Sequence, residues 1–76
     1  MDLWQFYDQV ERLIVDLRTC GYSSEADRVE TAVRGGATSG EILGRLSVVL
    51  AELRVPKFEN KIKTLASWAT TALSIM

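Results

Sequence analysis

Three interruptions divide this chain: Gly21, the pair Gly35 and Gly36, and the single proline, Pro56. Glycine and proline are the strongest local breaks in a helical pattern. The four segments they leave carry apolar residues at helical spacing, and none shows the two-residue alternation of a strand. The fold class implied is all-α: a compact antiparallel bundle of four helices, at about 2–19, 24–34, 39–54 and 57–75, forming one helical domain over residues 1–76.

Leu3, Phe6, Tyr7, Val10, Leu13, Ile14 and Leu17 recur at i, i+3, i+4, i+7 and make the first helix strongly amphipathic. Gly21 follows it where a left-handed cap residue is preferred. Trp4 and Val15 fall off the main stripe, as surface residues or as the edge of an interface. Ser24 with Asp27 predicts a capping box for the second helix, whose inward residues are Ala26, Val29 and Val33. Thr38-Ser39-Gly40-Glu41 predicts a complete one for the third. The Thr38 hydroxyl would accept from the Glu41 amide, and the Glu41 carboxylate from the Thr38 amide. Pro56 removes an amide and drives Val55 out of the α region, so the third helix should stop near Arg54.

The third helix is apolar on two sides. Ile42, Leu46, Val49 and Leu53 form one strip, widened by Leu43 and Leu50. Gly44, Val48, Ala51 and Val55 form another, roughly opposite. A helix of this kind is central or lies at an interface. In the fourth helix Phe58, Ile62, Leu65, Ala69, Ala72, Leu73 and Met76 make the main stripe, with Trp68 and Ile75 on a second ridge. Its last 13 residues, Thr64 to Met76, have no charged side chain, in a chain where 25% of residues are charged.

A chain of 76 residues buries only about 60% of its unfolded surface, so stabilisation from disulfides, metals or partners is expected. One Cys forms no internal disulfide, and one Cys without His excludes the usual zinc sets, so no metal or cofactor is expected. Cys20 reads as a small residue at a helix end and fits a reducing compartment. Oligomerisation or tight packing is left to make up the shortfall. No basic and apolar leader is visible, and no stretch approaches the roughly 18 apolar residues of a membrane span.

Net charge is −1, which argues against nucleic acid as the main partner. The charge is polarised. Residues 1–20 set Asp2, Asp8, Glu11 and Asp16 against Arg12 and Arg18, while residues 56–76 set Lys57, Lys61 and Lys63 against Glu59. Contact between the two ends of the chain should therefore be attractive.

No constellation for catalysis emerges. Without His there is no imidazole base and no Ser-His or Cys-His nucleophile. The carboxylate pairs Asp8/Glu11 and Asp27/Glu30 sit beside arginines on solvent faces, as surface ion pairs do. Residues 35–40 are Gly-rich and precede a helix start, but lack the Gly-Lys-Ser/Thr ending of a phosphate loop, and Glu41 would repel an anion. The second and third segments also suit a helix-turn-helix, with Ala32, Gly36 and Ile42 in its small, glycine and apolar places. Thr31 and Arg45 depart from that pattern, and Arg45 and Arg54 are the only cations on the would-be recognition helix. Lys57, Lys61 and Lys63 ahead of a Trp-bearing segment suit a membrane surface, but its polar side is Ser and Thr rather than Lys and Arg.

The segment Gly36-Ala37-Thr38-Ser39-Gly40-Glu41-Ile42-Leu43, with Ala26-Asp27-Arg28-Val29 before it, resembles a segment of small bacterial all-helical proteins. The resemblance spans about residues 10–53 and implies a bacterial, cytoplasmic setting. It transfers no activity.

The sequence thus reads as a non-enzymatic protein–protein interaction module, a small bacterial homodimer. Its expected interface comprises Gly44, Val48, Ala51, Val55, Leu65, Trp68, Ala69, Ala72 and Ile75, anchored by Trp68. The two alternatives are an immunity- or antitoxin-like protein that meets a partner through its acidic surface, and a helix-turn-helix-like DNA-binding regulator.

Overall fold

The computed structural model describes residues 1–75. Helix α1 spans Leu3–Thr19, α2 Ser23–Arg34, α3 Ser39–Glu52 and α4 Glu59–Ser74, with one 3-10 turn at Pro56–Phe58 leading into α4. The expected fold class holds: these are four helices, without a strand among the described residues, wrapped around one core. Phe6, Val10, Leu13 and Leu17 of α1, Val29 of α2, and Leu43, Leu46 and Leu50 of α3 are all but fully buried. Ile62, Leu65 and Ala69 of α4 complete that core.

Most helix boundaries have a local cause. Asp2 caps α1: its carboxylate accepts from the Gln5 amide at 2.8 Å, and the Gln5 side chain accepts from the Asp2 amide at 2.9 Å. At the other end Gly21 takes φ +88°. That lets the Tyr22 amide reach the Leu17 carbonyl (2.8 Å) and the Gly21 amide the Arg18 carbonyl (3.1 Å), the paired bonds of a Schellman cap. The Ser24–Asp27 box does not form. Helix α2 starts at Ser23 with no side-chain cap, and the Asp27 carboxylate turns to Arg18 on α1 instead.

Thr38 caps α3 as expected, accepting from the Glu41 amide at 3.2 Å. The return bond is made one residue early, from the Ala37 amide to the Glu41 carboxylate at 3.2 Å. Helix α3 stops at Glu52, two residues short of the expected end: Leu53 is already extended, as is Val55, the residue Pro56 restricts. Leu53 and Val55 both turn inward and are buried.

Gly35 and Gly36 are required by close approach rather than by handedness. A Cβ on Gly36 would lie 2.6 Å from Ile42 Cγ1, and one on Gly35 would lie 2.8 Å from the Thr31 carbonyl oxygen. This contact seats the start of α3 against the end of α2. Ion pairs lace the exterior. Arg18 bridges from α1 to Asp27 (2.8 Å) and Glu30 (3.1 Å) of α2, and Arg28 reaches Glu52 at 2.9 Å. The expected attraction between the chain's ends appears as one pair, Lys61 to Asp16 at 3.5 Å.

Candidate interaction surface

The nine residues expected at an interface separate into two groups. Leu65, Ala69 and Val55 are buried in the chain's own core and present no surface, which corrects their assignment. Val55 is lost from the outer strip because α3 ends before it. Trp68 is also corrected as a free anchor. Its ring stacks on Phe6 of α1, with centroids 4.5 Å apart and planes 18° apart, and its Nε1 donates to the Met1 carbonyl at 3.0 Å. Both the flat face and the polar edge of the indole are therefore engaged within the chain, and it is half-buried.

Helix α3, with a smaller share from α1, covers the apolar side of the uncharged fourth segment, whose Thr and Ser residues stay exposed. Ala66, Ala72 and Leu73 are half-buried against the core, and Ile75 alone among its larger described side chains stands free, at 83% exposed. The hydroxyls along this segment fold back onto their own helix: Thr64, Thr70 and Ser74 donate to carbonyls four residues earlier. That habit lets a Ser- and Thr-rich surface tolerate water or a neighbour without unmet polar groups. Met76 lies outside the described residues.

What remains open is the outer strip of α3. Gly44 is half-buried, Ala51 is exposed, and Val48 stands 58% exposed between them. Ala51 also borders a groove of about 450 Å³ between the end of α3 and α4. The buried Leu50, Leu53, Val55 and Ile62 line it, as do Ala51 of α3 and Ala66 of α4. The rim is charged. Arg54 donates to the carbonyls of Ala51 (2.9 Å) and Leu53 (3.1 Å), and Lys63 holds Glu59 at 2.9 Å. The hydrogen bond from Lys63 is the main reason the Glu59 carboxyl is lowered below its ordinary value, with the charges of Lys63 and Arg54 adding to it. Trp4 and Val15, read from the sequence as surface residues or the edge of an interface, are 80% and 61% exposed on α1. Their position off the amphipathic stripe was the available signal.

The remaining candidates dissolve into structure. Asp27 and Glu30 jointly hold Arg18, Asp8 holds Arg12 at 3.1 Å, and Glu11 lies 3.6 Å from Arg34. Each carboxylate pair is thus spent on arginine in surface ion pairs. The Cys20 thiol is exposed, with Lys57 Nζ at 3.4 Å. Among the described residues no cluster of three metal-binding side chains occurs, and no helix is long and apolar enough to cross a membrane. Among the described residues, the α3 helix carries one cation, Arg45, where a helix reading DNA would place several.

Comparison with known proteins adds no relative: no family model, curated protein or solved structure matches the chain.

Proposed function

We propose that this chain is a non-enzymatic interaction module that pairs with a second copy of itself through the outer strip of α3 and the adjoining α3/α4 groove. The observation that carries the reading is Val48, a β-branched side chain held 58% in water on a well-formed helix, flanked on its strip by Gly44 and Ala51. Small neighbours let a second helix approach closely, and no charge in the strip has to be desolvated. Isologous pairing is the commonest way such a surface is covered, since one patch serves both partners. A bacterial, cytoplasmic setting belongs to this reading and rests on the segment at Gly36–Leu43.

The antitoxin-like alternative draws less support. Of its four acids, Asp8, Glu11 and Asp16 have basic partners within the chain, and Asp2 is spent as a cap. The DNA-binding alternative has too few cations on α3.

Light scattering on a sizing column tests the proposal. The unaltered protein should elute at twice the 8.5 kDa chain mass, and Ala51→Glu at once that mass with its helical circular dichroism intact. An Ala51→Glu protein that keeps the doubled mass removes α3 from the interface.

A further inference from the structure

Several apolar side chains stand open in the monomer, Val15, Val48 and Ile75 among them, and two of the open features are opposite in shape. Trp4 projects from α1, while the groove between α3 and α4 is lined by buried aliphatic side chains together with the small Ala51 and Ala66. Indole is the largest side chain available, and small residues at the mouth leave room for it. The two surfaces also differ in charge. Trp4 is flanked by Asp2 two residues before it and by Asp8 one turn after it, both exposed. The groove's rim carries Arg54 and Lys63 against the one acid Glu59. Arg54 makes no ion pair among the described residues; its guanidinium is engaged only by backbone carbonyls. Asp2 already caps α1 and Asp8 already pairs with Arg12, so an acid arriving beside an incoming indole would share its carboxylate with Arg54, and such complementarity orients a contact.

We infer that the α3/α4 groove is the receptor for Trp4 of a second copy, so that in the pair each chain gives one indole and one groove. This rests on the self-association proposed above and names the residue that closes it. Reciprocal insertion makes a closed, two-fold contact rather than an open chain. A Trp seated in a desolvated pocket is the usual dominant anchor of such an interface. It also accounts for a tryptophan in the first turn of α1 that stands 80% exposed among the described residues.

The test uses the full chain labelled with 5-fluorotryptophan. Two fluorine resonances are expected, and the one missing in Trp4→Phe belongs to position 4. That line should shift as concentration drives pairing, while the Trp68 line stays in place. Trp4→Ala and Ala66→Leu should each weaken pairing more than about tenfold, and together no more than the stronger alone, because both act on one contact. Trp4 is exposed, so its removal leaves the fold intact by circular dichroism. If the chain pairs and Val48→Asp separates it, while Trp4→Ala pairs as before and the position-4 line does not move, the insertion is overturned and self-association stands. A chain that stays single at millimolar concentration overturns both.

Discussion

Gly21 marks where chain direction depends on one residue's freedom. It alone among the described residues has positive φ, and a Cβ placed on it would meet nothing within 4 Å. The cost of Gly21→Ala is therefore conformational and not steric, about 1–2 kcal/mol. Urea denaturation should show it as a lowered midpoint with unchanged slope, and Gly21→Asn should lose less. Glu59 gives a second residue-level expectation. Its folded carboxyl is lowered, chiefly by the hydrogen bond with Lys63. A lowered folded value means stability that is fully present above the ordinary 4.5 and is lost as pH falls through the folded value. Glu59→Gln should flatten that part of the acid limb of a stability-versus-pH curve. The group is on the surface, so the effect is small.

At the scale of elements, the seam between α1 and α4 is held at few points, and Trp68 is the largest. Trp68→Phe keeps an aromatic ring against Phe6 but removes the bond to the Met1 carbonyl, a loss of about 1 kcal/mol. Trp68→Ala removes the stack as well and should cost about 3 kcal/mol by thermal or urea unfolding. Both effects belong to the single chain and should persist at any dilution. The amphipathic stripe of α1, the Gly21 stop and the Thr38 cap were legible in the sequence, because periodicity and capping are local. The destinations of Asp27, Val55 and Trp68 were not. Asp27 was free to cap α2 until the approach of α1 put Arg18 within reach. Val55 belonged to an outer strip only if α3 ran past Glu52. Trp68 looked like an external anchor because nothing in its own segment announces that Phe6, 62 positions earlier, would lie beneath it.

At the scale of the molecule, packing accounts for the inward half of the uncharged fourth segment, Leu65, Ala66, Trp68, Ala69, Ala72 and Leu73, while its exposed half is mostly Ser and Thr. The chain's radius of gyration is 11.3 Å, against about 11 Å for a compact domain of this length, so α4 is docked within the monomer. The core closes without a partner, and α3 rather than α4 supplies the open strip. Pairing would then join two chains that are each already folded, unlike an obligate dimer whose stability depends on protomer concentration. Dissociation should accordingly leave helical content unchanged. Sedimentation equilibrium on the unaltered chain and on Val48→Asp, from micromolar to millimolar concentration, tests this most directly. The account expects the unaltered chain to pass reversibly from one to two chain masses and Val48→Asp to remain single, both fully helical throughout. A chain of single mass across the whole range, or a Val48→Asp protein that pairs as well as its parent, would contradict it.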